Sequence, residues 1–351
     1  MKQKYIIIFL GLIFLLIAGC SLPTIDGPEK NNLFSKIKGN IIIQHRLDNG
    51  YLQGLTCITL PELKEKTIYP MEDEKSFFTE AISNITFNGE FVLLTENSIA
   101  DAELYDLRKY NIGKKQEKIL TKINKPGKSI ALSNDGNKIA FIDGANGIQF
   151  PGAYLSRGKI EIFEGSSKNN DLLNLNALDE GIEWTPDGKK IIFVDIIERN
   201  KLDSNNKPNG IFGKTFKEWA YIPAIFVWDF IKKEKYFLAV GVSPKISTNG
   251  KNVIYRDFEY NFRRINLETK EKIEVKIPGI YGDVIYYLDN EEVIYWGLPT
   301  KGSPVKRSIY GSFKSGTQEI TIKIAEINTK NFQTIIPFYD PRHLITFGLS
   351  N

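Results

Sequence analysis

Thr185-Pro186-Asp187-Gly188-Lys189-Lys190-Ile191-Ile192-Phe193-Val194-Asp195 is one of three copies of a short pattern in this chain. The others are Ser133-Asn134-Asp135-Gly136-Asn137-Lys138-Ile139-Ala140-Phe141-Ile142-Asp143 and Ser247-Thr248-Asn249-Gly250-Lys251-Asn252-Val253-Ile254-Tyr255-Arg256-Asp257. The aligned residues Asp135, Asp187 and Asn249 recur at intervals of about fifty to sixty residues, and self-similarity on that scale marks one supersecondary unit copied along the chain. The Asp/Asn-Gly pair supplies the positive φ that a tight hairpin requires. The strand after it is too apolar for a solvent-facing edge, so it belongs in a sheet packed between neighbours.

A second hairpin follows in each unit. Leu104–Leu107 leads to Lys118–Leu120, Phe226–Asp229 to Tyr236–Leu238, Phe262–Leu267 to Lys272–Val275, and Ile322–Ile327 to Gln333–Ile335. Two hairpins make four strands, and four antiparallel strands make one propeller blade. Weaker copies at Ile85–Leu94, Leu288–Trp296 and Ile41–Leu52 complete the series. The sequence therefore predicts an all-β fold, a six-bladed β-propeller with blades starting near residues 39, 82, 129, 181, 244 and 283. Seven blades result if the long insertions hide strands. The leftover stretch His343–Phe347 is expected to return to the first blade and close the ring, which removes exposed sheet edges.

The repeat resembles that of the TolB-like propeller family, a Ser-Pro-Asp-Gly-Lys turn followed by Ile-Ala-Phe. Thr185–Lys189 with Ile191–Phe193 is the nearest match; Ser133–Gly136 lacks the proline, and Ser247–Gly250 also replaces the aspartate. The resemblance spans roughly residues 39–348 and implies the fold; it says little about function. The same repeat occurs in the propeller domains of prolyl oligopeptidase-type enzymes, but no hydrolase domain is expected here.

Lys2 and Lys4 precede an apolar run from Tyr5 to Gly19, followed at once by Cys20. This is the layout of a secretory signal, and the run is short for a bilayer span. Ile17-Ala18-Gly19-Cys20 resembles the lipobox of bacterial lipoproteins. That resemblance implies cleavage before Cys20 and acylation of its sulfur and amino group with chains such as palmitate, which gives stable anchoring. The expected organisation is a signal peptide at 1–19, a lipidated flexible tether at 20–38 and the propeller at 39–348. The protein is expected at the extracytoplasmic face of the cell membrane.

The formal charge of +4 falls to about +2 once the signal is removed, too little for a nucleic-acid footprint. Cys57 is then the sole cysteine and reads as a small buried hydrophobe in a strand. Only two histidines, His45 and His343, are present, and no Gly-x-Ser-x-Gly turn marks a nucleophile. No catalytic residue, metal site or cofactor is therefore assigned. Asp135 and Asp187 are expected to bond their own turns. Asp143, Asp195 and Asp257 end the apolar strand in three blades, either ringing a channel mouth or serving the repeat structurally.

What differs between copies is more informative. The segment from Ile196 to Ile222 carries Phe212, Phe216, Trp219 and Tyr221 as candidate contact residues, since long loops in compact folds tend to be functional. Gly144–Gly158 and the basic stretch Pro299–Thr317 read as further insertions. The leading expectation is a monomeric, membrane-anchored scaffold that binds another envelope protein or a peptide. The alternatives are an envelope carbohydrate-active lyase or hydrolase and a small-ligand sensor using the channel mouth.

Overall fold

The repeated turn organises the fold through a bond set written in the motif itself. Ser133 Oγ donates to Asp135 Oδ1 (2.5 Å) and accepts from Lys138 N (2.8 Å), while Asn137 N donates to the same carboxylate oxygen at 3.0 Å. Thr185, Asp187, Lys189 and Lys190 repeat this set, as do Ser247, Asn249, Lys251 and Asn252. Gly136, Gly188 and Gly250 sit at φ +75°, +65° and +75°, a region where a side chain would be strained. Asp135 and Asp187 are therefore turn residues.

The computed structural model describes residues 33, 37–46, 52–69, 79–96, 104–124, 126–150, 153–165, 167–169, 175–204, 220–289, 291–297, 320–339 and 345–349. They form six antiparallel sheets. The first blade holds β1 (Gly39–Arg46), β2 (Leu52–Leu60) and β3 (Lys64–Tyr69). The second holds β4 (Thr79–Ile82), β5 (Glu90–Glu96), β6 (Leu104–Asn111) and β7 (Gln116–Asn124). The third holds β8 (Ile130–Leu132), β9 (Lys138–Phe150) and β10 (Ala153–Glu164), edged by two short strands, β11 (Ser167–Asn169) and β12 (Asn176–Leu178). The fourth is β13 (Ile182–Trp184), β14 (Lys190–Glu198), β15 (Tyr221–Asp229) and β16 (Glu234–Val240). The fifth is β17 (Val242–Ile246), β18 (Asn252–Arg256), β19 (Phe262–Asn266) and β20 (Lys272–Val275). The sixth is β21 (Ile280–Tyr287), β22 (Glu292–Gly297), β23 (Ile320–Glu326) and β24 (Phe332–Tyr339). Finally β25 (Ile345–Leu349) pairs with β1, Gly39 opposite Leu349 and Ile43 opposite Ile345, and completes the first blade as its innermost strand.

The second strand of each blade is buried on both faces, which explains its unbroken apolar run. Ile191, Ile192, Phe193 and Val194 are all fully buried, as are Val253 and Ile254 and their counterparts Val293 and Ile294. The core is thus divided into apolar clusters at the six blade-to-blade contacts, including one that joins the sixth blade to the first. Burying a side chain of this size contributes about 1.5–3 kcal/mol. Cys57 lies in the cluster between the first and second blades, and burial pushes its thiol up to about 11. Among the described residues no helix is long and apolar enough to cross a membrane.

Antiparallel order gives the ring two unlike faces. On one, here the turn face, lie the motif turns and the tight links between third and fourth strands, such as 61–63, 230–233 and 267–271. The second-to-third connections emerge on the opposite face. There β5 ends at Glu96 and β6 begins at Leu104, β14 ends at Glu198 and β15 begins at Tyr221, and β22 ends at Gly297 and β23 begins at Ile320. We call this the loop face.

Candidate binding face and channel mouth

The loop face is most elaborate over the third, fourth and fifth blades. The stretch Gly144–Gly158, expected to be a loop, instead prolongs β9 and β10, whose ladder continues to Phe150 opposite Ala153 with a bulge between Arg157 and Lys159. Alternating residues such as Ile148 and Leu155 let the extra length pair as strand rather than wander. They meet Ile196 of the fourth blade and Phe258 of the fifth in a half-buried apolar cluster on this face. The fourth-blade insertion also shrinks at both ends. β14 runs to Glu198, a single 3-10 turn follows at Arg199–Lys201, and Tyr221 is the first residue of β15.

Of the candidate contact residues, Tyr221 is 48% exposed on the loop face. Phe212, Phe216, Trp219, Cys20 and the stretch Pro299–Thr317 lie outside the described residues, and so does His343. His45 occupies β1, opposite Gly54. A second aromatic stands near Tyr221's level of exposure: Tyr260 is 63% exposed, with the Arg256 guanidinium 5.6 Å from its ring centre.

The idea that Asp143, Asp195 and Asp257 ring a channel mouth fails, because they sit at or just after second strands and not on the strands that line the axis. Asp195 is buried and accepts from Arg157 Nε (2.8 Å) and Lys235 Nζ (2.7 Å). Asp257 accepts from Arg263 Nε at 2.9 Å and from the backbone of Glu259 and Asn261. Both serve the repeat structurally.

The axis is lined by the first strands. They enclose a cavity of about 260 Å3 shared by the second to sixth blades. At mid-depth Glu183 of β13 pairs with Lys245 of β17. Beside them burial, and then the charges of Glu183 and Asp289, push the Tyr286 hydroxyl well above its usual range. At the loop-face mouth, Asp179 Oδ1 accepts from Ser129 N (2.7 Å), Gly181 N donates to Ser129 Oγ (3.1 Å), and Glu180 O accepts from Ser243 N (2.9 Å). Arg256 Nη1 lies 3.3 Å from Asp283 Oδ1. The Glu180 carboxyl is pushed up to about 7 by burial and by Asp179 and Asp283, against the opposing pull of Arg256. The mouth therefore gathers three carboxyl groups and one guanidinium from three blades, in a site where partial burial strengthens the interactions between them and disfavours the ionised form of Glu180.

None of these channel residues was legible as functional in sequence. First strands are three to eight residues long and carry no motif. The usable signal is a charged residue alternating with buried apolar ones just before the turn, as in Ile182-Glu183-Trp184. Among the described residues no group of three or more His, Cys, Asp and Glu is placed to hold a metal ion.

Compared with solved structures, the ring is similar to TolB from Acinetobacter baumannii, with a TM-score of 0.56 and 14% identity over 89% of this chain and 67% of that one. The fold is a TolB-like six-bladed β-propeller. A putative TolB from Agrobacterium tumefaciens is also similar (TM-score 0.49, 12% identity, 90% of this chain and 99% of that). So is an oligogalacturonate lyase from Vibrio parahaemolyticus (TM-score 0.43, 10% identity, 72% of this chain and 70% of that). No family model matches the chain, and no curated protein does. At these identities the TolB-like ring is shared as architecture.

Proposed function

We propose that this chain is an envelope lipoprotein, held at the extracytoplasmic face of the membrane through Cys20, whose propeller binds another envelope protein or a peptide without catalysing a reaction. One observation carries this reading, the inequality of the two faces. Tight turns suffice to connect strands, and the turn face uses them throughout. The longest second-to-third connections leave and re-enter their sheets at the loop face, after β5, β14 and β22. Loops held on a rigid ring are well suited to recognition. Tyr221 and Tyr260 are exposed there, and in this reading Phe212, Phe216 and Trp219 join them as the amphipathic aromatic contacts typical of hot spots. The carboxylates at the mouth would favour a cationic group on the partner. The domain acts as a monomer in this reading, and its near-neutral balance gives no purchase for nucleic acid.

The test is site-specific photo-crosslinking in intact cells, with the probe placed at Tyr221, at Tyr260 or, on the other face, at Thr269. Specific capture of one envelope protein from the two tyrosine positions, lost on deleting residues 205–219, is the expected result. Equal capture from Thr269, or cleavage of a glycan by the purified protein, would replace the scaffold reading.

A further inference from the structure

Three features of the turn face point the same way. The first is where the chain enters the ring. Gly39 opens β1 opposite Leu60, the last residue before the turn at 61–63. Ahead of it, Leu33 N donates to Gln333 Oε1 at 2.7 Å, and Ile37 is buried in the cluster containing Leu60, Leu288 and Ile335. The N-terminal arm thus reaches the ring on the turn face, in the seam between the sixth and first blades. Whatever holds the N-terminus holds this face.

The second feature is apolar side chains at turn tips. Ile231 is 73% exposed, Leu63 41% and Phe87 39%, each in a turn of this face. These residues contribute little to the core, and three such tips on one face make a set. The third is the company they keep. Ile231 is followed by exposed Lys232 and Lys233, and Leu63 by exposed Lys64. Lys190, Lys232 and Lys270 come from different strands and turns yet crowd together; burial and then the charges of Lys190 and Lys232 hold Lys270 below the usual lysine range. The nearby acids are partly committed. Asp187 is bound in its own turn, Asp229 accepts from the backbone of Ile231 and Lys232 and lies 3.3 Å from Lys190, and Glu234 lies 3.6 Å from Lys232; Glu62, Glu65, Glu268 and Glu271 are exposed beside the other turns, which leaves Lys232 and Lys233 beside Ile231 as the main cationic contact.

An apolar tip flanked by ammonium groups suits a bilayer surface: the tip enters the headgroup region and the lysines meet phosphates. We propose that the turn face rests on an anionic phospholipid surface, with Ile231-Lys232-Lys233 as its principal contact, and that the loop face is thereby turned toward the aqueous side. The inference rests on the proposed anchor at Cys20, and the two are mutually supporting. The residues between Cys20 and Leu33 span about 45 Å even when fully extended. That short reach keeps the face at high effective concentration beside the bilayer.

The test uses the full-length acylated protein in phosphatidylglycerol vesicles containing lipids with nitroxide headgroups. Ile231→Cys and Tyr260→Cys are labelled separately with an environment-sensitive fluorophore; Cys57, 3% exposed, stays unlabelled. Quenching at position 231 is expected to exceed that at 260 at least threefold, and to fall by half or more with Lys232→Glu/Lys233→Glu or in purely phosphatidylcholine vesicles. Equal or greater quenching at 260 overturns the proposal, as does indifference to lipid charge. The mass of the Cys20 peptide reports on the anchor separately. In a Cys20→Ala chain at low salt, the preference for position 231 should persist on phosphatidylglycerol; its absence there counts against the face even if acylation is found.

Discussion

Arg157 of the third blade donates from Nε to Asp195 Oδ1 of the fourth at 2.8 Å, and so ties the lengthened β9–β10 hairpin to the central strand of its neighbour. The second carboxylate oxygen is taken by Lys235 Nζ at 2.7 Å, whose ammonium also lies 4.0 Å from the Phe226 ring centre. The side chain of Asp195 is 5% exposed, so both bonds operate with little water around the acceptor. Asp195→Ala would strand two cations beside an apolar cluster and should destabilise the domain by about 2–4 kcal/mol. Asp195→Asn keeps one acceptor and should lose about half as much. Urea unfolding at neutral pH reads the difference, and a midpoint unmoved by the alanine change would show that the bridge contributes nothing.

The turn aspartates make a pH prediction. Burial alone would raise Asp135 and Asp187, but the bonds from Ser133 and Asn137, and from Thr185 and Lys189, outweigh it and hold both carboxyls below the usual range. A depressed folded-state value contributes stability above the unfolded-state value, near 4, and that stability is lost as pH falls through the folded-state one. Both groups are exposed, so solvent screening limits each to about 0.5 kcal/mol. The double variant Asp135→Asn/Asp187→Asn should therefore be slightly less stable than wild type at pH 7 and converge with it as pH falls below the usual carboxylate range. Parallel curves across that range would contradict the assignment.

The ring was readable because its code is local. The hydroxyl residue, the aspartate or asparagine and the glycine of each turn lie within four positions of one another, and Ile191–Val194 advertise a strand buried on both faces by being continuously apolar. Gly144–Gly158 misled because glycine and polar residues suggest a loop, whereas Ile148 and Leu155 keep the alternation that lets a hairpin continue. The mouth was hidden for a different reason. Asp179, Glu180, Arg256 and Asp283 lie on different blades, and what brings them together is ring closure, which no single repeat encodes. The regular place of Asp143, Asp195 and Asp257 in the motif is compatible with a ring of acids or with a structural role, and the bond from Arg157 to Asp195 decides for the scaffold.

Glu180 should make stability fall with rising pH over a defined window. Its carboxyl is pushed from an ordinary value of 4.5 up to about 7 by burial and by Asp179 and Asp283. The protonated form is favoured in the folded state, so no penalty exists below about pH 4.5. The penalty grows between there and about pH 7, then stays constant. With solvent at the mouth the full loss should be on the order of 1–2 kcal/mol. Glu180→Gln removes the ionisation, so the variant should match wild type at pH 4.5 and exceed it at pH 8. Thermal unfolding across that range decides it, and equal slopes for the two proteins would sink the prediction.

Closure of the ring depends on a residue without a side chain. Gly348 of β25 lies opposite Asn40, and a Cβ there would stand 2.3 Å from the Ile85 carbonyl oxygen and 2.5 Å from its Cβ. The obstruction is partly backbone, so no rotamer change relieves it; the first and second blades must move apart. Gly348→Ala should destabilise the domain by about 2–3 kcal/mol, as overpacking of a close contact does. Gly113→Ala is the matched control, since its Cβ would meet nothing nearer than Asn111 Oδ1 at 3.6 Å, and it should stay within about 0.5 kcal/mol. Hydrogen exchange adds the spatial readout. Amides of β1 and β25 should lose protection in Gly348→Ala well before those of β14 and β15, because the first blade, which β25 and β1 close, carries the obstruction. Uniform loss of protection around the ring would mean that closure is not the weak point.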